Sequence, residues 1–335
     1  MPFPILRTPV VVLSEIISIL EPNETVTASF CSKNFKRLLK NQYQQMKPLM
    51  WAICMIDFEN DRRVIIVKSG IEANVLSAVH ISKFNESTSK VVEINGYKIE
   101  FSPEYPILYF EDQELGSKWI VDYVTDLLNI DVRGLAIGRS SAWTVDWINK
   151  RQEKPLNRFA LFKPTSNNSN ADESMDYVLK NVRSSDFIGI NEDVSDNYRF
   201  NGKLGPVKEL AISRNGYWVT CDNLMNFDAI AIYIGRSRLT VSILNLFLRH
   251  WRAGGSPRLE YLEVFFENGT VFENTFDGDL EIVRTNEVGT YPVSYGEPVV
   301  IRNCYRVQRT DGIMALVDCD RQRFYMIVQH EKASH

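Results

Sequence analysis

Apolar residues in the first forty positions recur at helical spacing in three short bursts. Pro9 opens the first, and Leu13, Ile16, Ile17 and Leu20 fall at the i, i+3, i+4, i+7 positions of one buried face. Glu21-Pro22 ends that run, and Pro22 suits the first turn of a second short helix. A third follows the Cys31-Ser32-Lys33 corner, with Phe35, Leu38 and Leu39 facing in. Three helices of this size cannot bury their apolar faces alone, so something else must cover them.

The pattern changes at Lys47-Pro48. Strand-like runs follow at Trp51 to Phe58, Arg63 to Lys68, Lys90 to Ile94, Lys98 to Phe101 and Ile107 to Phe110. Asn95-Gly96 sits between two of them and supplies the positive φ angles of a tight hairpin, so an antiparallel sheet is expected here. From Glu111 onward helix and short strand alternate. A helix from Leu115 to Leu128 carries Gly116, Trp119, Ile120, Tyr123 and Leu127 on one side. Short strands are expected at 134–137, 159–162, 187–190, 209–212, 229–232 and 259–262, with amphipathic stretches at Met175 to Val182 and Thr240 to Trp251. This strand spacing of about 20–30 residues falls in the range of leucine-rich repeats. A weak internal echo supports a repeat: Ile137-Gly138-Arg139-Ser140 precedes Thr144-Val145, and Ile234-Gly235-Arg236-Ser237 precedes Thr240-Val241. Both read as strand end, turn and helix start. Neither has the glycines and lysine of a phosphate loop.

Composition narrows the class. The 335 residues suit two domains, or a small module with an elongated body. A net charge of −4 gives no whole-chain electrostatic case for nucleic acid. Lys33, Lys36, Arg37 and Lys40 form one helical stripe, read as a solvated face near a helix C-terminus. The five cysteines show no C-x-x-C spacing, which points to reduced thiols rather than a disulfide framework or zinc site. No run reaches the ~18 apolar residues of a membrane helix, and Glu15 and Glu21 interrupt the N-terminal apolar stretch, unlike a secretory signal. A cytoplasmic or nuclear protein is expected, with no membrane contact.

The N-terminal segment resembles an F-box, the module that docks onto SKP1 in cullin-type ubiquitin ligases. Pro9, Val12-Leu13, Ile16-Ile17, Leu20, Glu21-Pro22, Ser32-Lys33 and Phe35 fill the slots of the family pattern without gaps. Thr8 stands where the family usually has Leu, Thr25 occupies another apolar slot, and Phe35 replaces the usual Trp. The resemblance implies SKP1-binding residues at Pro9, Leu13, Ile16, Ile17, Leu20 and Pro22. Further on, the helix from Ile243 with His250-Trp251, Gly254-Gly255, Pro257 and Leu259 to Val264 resembles the F-box-associated domain of nematodes. In that family a C-terminal β hairpin often carries an Arg-x-Asp-Gly turn, matched by Arg309-Thr310-Asp311-Gly312 and the run Arg323 to Val328.

The expected fold is α+β: a three-helix F-box at 1–46, a β-rich connecting segment at 47–110, and an F-box-associated, leucine-rich-repeat-like α/β body at 111–335 ending in a β hairpin. No nucleophile elbow, metalloprotease motif, dinucleotide fingerprint or Walker loop occurs, and His80, His250, His330 and His335 lack metal spacing. Asp277 to Glu281 imitates the start of a calcium loop, but Ile282 and Val288 occupy the Gly and bidentate Glu positions. No cofactor is expected. The favoured function is a non-catalytic receptor subunit that holds SKP1, through it a cullin, and an unidentified target protein. The alternatives are an enzyme with an unrecognised site in the open face of the body, and a SKP1-binding protein without a ligase role. Target contacts are expected on the exposed strand face and on two polar loops, Lys163 to Asp172 and Asn191 to Asn197.

Overall fold

A computed structural model describes residues 8–45, 50–85, 91–94, 96–163, 171–267, 276–292, 298–302, 304–319 and 322–329. The fold mixes helix and sheet, with helices at the N-terminus, and the chain divides into two compact units, Met1–Leu156 and Asn157–His335.

The first unit begins with α1 (Val10–Ile19), α2 (Pro22–Cys31) and α3 (Lys33–Gln45). They coincide with the three helical bursts in the sequence. Pro9 precedes α1, and a capping box starts α2: the Glu21 side chain accepts from the Glu24 N–H while Glu24 accepts from the Glu21 N–H. Next come β1 (Trp51–Phe58), β2 (Asp61–Lys68) and β3 (Ile71–His80), an antiparallel meander, then β4 (Val91–Ile94), β5 (Tyr97–Phe101) and β6 (Pro106–Phe110), also antiparallel. Strand β6 lies parallel to β3. After α4 (Gln113–Leu128), β7 (Val132–Gly138) lies parallel to β1, giving the order β7-β1-β2-β3-β6-β5-β4. Helix α5 (Trp143–Arg151) closes the unit.

Strand β3 was not expected from the sequence. Its run Val75 to Ala78 is buried without alternation, and its register against β2 shifts between Val64 and Ile65 so that Val75 is an extra, bulged residue; the period-2 signal of a half-exposed strand is therefore missing. Of the Asn95-Gly96 hairpin, Asn95 lies outside the described residues, while Gly96 takes the expected positive φ of 83°. Asp112 caps α4 by accepting from the Leu115 N–H at 3.0 Å. Gly116 lets α4 approach β6, since a Cβ there would lie 2.8 Å from the Phe110 ring.

The second unit contains β8 (Leu156–Phe162), α6 (Ala171–Asn181), β9 (Ser184–Asn191), β10 (Leu204–Ile212), α7 (Cys221–Asn226), β11 (Phe227–Ser237), α8 (Val241–Arg252) and β12 (Tyr261–Phe266). Strands β9, β10, β11 and β12 run parallel in sequence order. Ile188, Leu210, Ile232 and Leu262 stand in register across them, all buried. The strand expected at 259–262 starts two residues later. The remaining strands are β13 (Val283–Arg284), β14 (Gly289–Tyr291), β15 (Val299–Ile301), β16 (Tyr305–Gln308), β17 (Met314–Cys319) and β18 (Arg323–Gln329). β18 pairs antiparallel with β12, and β17, β16 and β13 follow outward, while β14 and β15 form a separate hairpin. The Arg-x-Asp-Gly turn joins β16 to β17, with Gly312 at φ 93°.

Candidate functional site

Helix α1 divides its apolar residues between two sides. Leu13 and Ile17, four residues apart, are buried, and Pro22 is buried at the start of α2. Ile16 and Leu20 are half-buried and Pro9 is exposed. Beyond the six residues singled out from the sequence, Val11 (75% exposed), Val12 (48%) and Ile19 (76%) stand in solvent. Their register could have been read from the helix, but which side the chain itself covers depends on distant packing. Large apolar side chains left bare together on one short helix mark an interaction surface.

Helices α2 and α3 are fastened to α4 and to the sheet of the first unit. Phe30 of α2 stacks on Tyr123 of α4 with ring centres 4.5 Å apart, and Tyr123 stacks on Trp119 at 5.0 Å. Ser29 and Tyr123 share a hydroxyl hydrogen bond at 2.8 Å, and the Lys36 ammonium lies 3.8 Å above the Tyr123 ring. Burial pushes the Tyr123 phenol up to about 12 and lowers the Lys36 ammonium below its ordinary value. Lys40 pairs with Asp126, and Tyr43 packs on Trp51 at 5.9 Å. The basic stripe read as a solvated face is therefore partly used: Lys36 and Lys40 hold α3 to α4. Thr25, at an apolar slot of the family pattern, is fully buried, and its hydroxyl meets the Tyr43 hydroxyl at 3.1 Å. That bond supplies the partner a buried hydroxyl needs.

A second polar cluster lies where β1 and β7 end. Asp57 is fully buried; Ser141 donates to its Oδ1 and Arg62 Nε is 3.4 Å away. Ser117 of α4 lies beside it, without closing a hydrogen bond of good geometry. Burial raises the carboxyl above its ordinary range, and Ser117, Ser141 and Arg62 oppose that rise. These groups tie β1, β2 and α4 together.

In the second unit, the face opposite Ile188, Leu210, Ile232 and Leu262 carries half-buried Phe187, Glu209, Tyr233, Glu263 and Tyr325. Toward its C-terminal side Tyr291 of the β14–β15 hairpin stacks on buried Tyr261 at 4.5 Å, so part of this face is covered by the chain itself. Tyr261 donates to Glu263 at 2.8 Å, and Arg323 donates to the Tyr325 hydroxyl at 2.7 Å while lying over Phe265.

The two polar loops fare differently. Residues 164–170 of the first lie outside the described residues. The second is anchored rather than loose: Asp193 accepts from Lys163 and Asn215, Tyr217 donates to the Val194 carbonyl, and Asp172 accepts from Ser195 at 2.5 Å. Arg238 bridges Asp196 at 2.8 Å and Glu267 at 2.6 Å. Side chains from four neighbouring segments satisfy the polar groups of this loop. The Arg-x-Asp-Gly turn also has a structural use: Arg309, buried, lies over the Trp251 indole at 5.4 Å and is gripped by Asp311 at 2.7–3.0 Å. Burial lowers the pKa of His250, whose Nε2 is 3.4 Å from the Ser256 hydroxyl. Among the described residues no group of three or more His, Cys, Asp or Glu side chains could hold a metal ion, and no helix is long and apolar enough to cross a membrane.

Two family models match. The F-box domain covers residues 9–44, the three helices with the divided α1. A model described as F-box associated covers residues 204–264, from the start of β10 into β12. The chain thus combines an N-terminal F-box with a C-terminal F-box-associated region. F-box domains typically bind SKP1 and so connect to a cullin, and proteins built from this pair are typically non-catalytic adaptors. No curated protein and no solved structure matches the chain.

Proposed function

We propose that this protein is a substrate-recognition subunit of a SKP1-cullin-F-box ubiquitin ligase. The observation that carries the reading is the divided α1 within the F-box match: Leu13 and Ile17 fasten the helix to its own unit, while Val11, Val12 and Ile19 stay bare. An amphipathic helix laid in an apolar groove uses such a stripe. Ile16 and Leu20 border it, Pro9 flanks its start, and Leu13, Ile17 and Pro22 act as support from beneath. The target is received by the second unit, a repeat-like run of strands and helices with an open strand face. The F-box occupies 1–46 and the connecting segment 47–110; of the body expected at 111–335, residues 111–156 pack within the first unit, so the target-binding part is the second unit, from 157 onward. The chain adds no chemistry of its own. It raises the local concentration of target lysines beside a charged conjugating enzyme. It works inside the cell, in cytoplasm or nucleus, without contacting nucleic acid or membrane.

The test is affinity purification of the tagged chain from its own cells. SKP1 and a cullin should both copurify. Val12→Asp with Ile19→Asp should abolish both without altering thermal unfolding. Truncating Ile16 and Leu20 together to Ala should weaken capture about 30-fold, the effect of losing ~2 kcal/mol of buried aliphatic contact. Capture of SKP1 without a cullin would overturn the ligase assignment, and unaltered capture by the α1 variants would overturn the docking site.

A further inference from the structure

We infer that the β2–β3 turn of the first unit extends the adaptor-docking surface beyond the F-box helices, with Ile71 as its contact residue. The inference rests on the α1 docking reading and adds to it a body residue that lies outside the F-box match, which ends at residue 44.

The register fixes where Ile71 points. Residues directly opposite one another in an antiparallel pair project from the same face of the sheet. Trp51 of β1 lies opposite Lys68 of β2, and Lys68 lies opposite Ile71 of β3, so the three form one cross-strand row. The inner end of that row is under the F-box: Trp51 is buried and packs on Tyr43 of α3. Its middle reaches the corner between α1 and α2, where Lys68 Nζ is 3.6 Å from Glu21. The outer end, Ile71, is 74% exposed. Glu21 follows Ile19 and Leu20 directly in the chain. The end of α1 and Ile71 therefore stand on either side of a single ion pair, Glu21 with Lys68.

The turn is also preorganised. Ser69 at φ 52° and Gly70 at φ 82° place two successive residues in the left-handed region, as a two-residue hairpin turn with the native strand twist requires. Gly70 adopts this freely, whereas Ser69 bears strain there. Ile71 is held at a fixed point beside the F-box corner and loses little conformational freedom when covered. The occupant follows from continuity: a partner seated along Val12, Ile16 and Ile19 to the end of α1 meets this turn next. The same adaptor that takes the helix takes Ile71.

The experiment titrates purified SKP1-like protein into the full chain by calorimetry, comparing wild type, Ile71→Ser, Ile71→Met and Ile19→Asp. Each variant is first shown to unfold at the wild-type temperature. Ile71→Ser should weaken binding about five-fold, the effect of exposing part of one aliphatic side chain. Ile71→Met, which keeps an apolar side chain, should bind within about two-fold of wild type. Loss of binding in Ile19→Asp with wild-type affinity in Ile71→Ser would overturn this inference and leave the α1 site standing. Wild-type binding by Ile19→Asp would overturn the α1 site itself. A concentration-dependent dimer dissolved by Ile71→Ser, with an unchanged titration, would overturn the inference in favour of self-association.

Discussion

Thr25 and Tyr43 show how a departure from a family pattern is accommodated. A hydroxyl at an apolar slot costs stability unless it is bonded, and Tyr43, on the next helix, provides the bond at 3.1 Å. The pair should act as a unit. Thr25→Val leaves the Tyr43 phenol buried without its partner and should cost about 1–2 kcal/mol. Adding Tyr43→Phe should recover most of that loss. Denaturant midpoints of the two single variants and the double variant give the coupling, and strictly additive losses would show the bond to be incidental. Asp57 makes a different prediction. Its carboxyl is raised in the folded state, chiefly by burial, so the native chain holds a proton that the unfolded chain releases near the ordinary value of about 3.9. The contribution is full below that pH and falls away as pH rises through the raised value. Asp57→Asn carries no such slope. The stability of the variant relative to wild type should therefore increase between about pH 3 and pH 7, and a flat difference in urea midpoints would contradict the assignment.

At the scale of elements, α8 has the most exacting role. Its buried residues Leu244, Phe247, Leu248 and Trp251 face inward, and its C-terminal turn binds two other segments. Arg249 reaches Asp277 and Asp279, and Arg252 reaches Glu281 and the carbonyls of Asp279 and Gln308. Trp251 lies at the centre, fully buried beneath Arg309. Trp251→Ala should cost ~3–5 kcal/mol and free the turn that depends on the indole. Limited proteolysis should then cleave the second unit first while the F-box helices persist. Wild-type resistance would mean that α8 is dispensable to the cooperativity of that unit. Helix, strand and turn identities of this kind were largely legible: Pro9, Pro22, Thr240 and Gly312 each mark a boundary through local chemistry. Pairing was not. The parallel neighbours β3–β6 and β1–β7 join segments separated by whole elements, and nothing local encodes such a choice. β3 lacks a legible alternation because the bulge at Val75 breaks its period.

On the scale of the whole molecule, the F-box is no appendage. Phe30, Tyr123 and Trp119 stack it onto α4, and Trp51 continues the packing into the sheet. The F-box pattern itself was legible because it is a local spacing rule. Which side of α1 remained outside was not, because the helical spacing alone does not say that Leu13 and Ile17 are the buried pair. Tyr123→Ala should remove the central ring of the stack, cost about 3 kcal/mol, and raise amide exchange across α2 and α3. Exchange confined to α4 would show that the helices stand without it.

The bare stripe of α1 also bears on the life of the protein in the cell. A chain made faster than its partner would display Val11, Val12 and Ile19 to every chaperone and protease it meets. Docking as proposed would hide that stripe and stabilise the folded form by mass action. The amount of this protein should thus follow the supply of its adaptor, so that surplus copies are cleared and receptor numbers are matched to the assemblies able to use them.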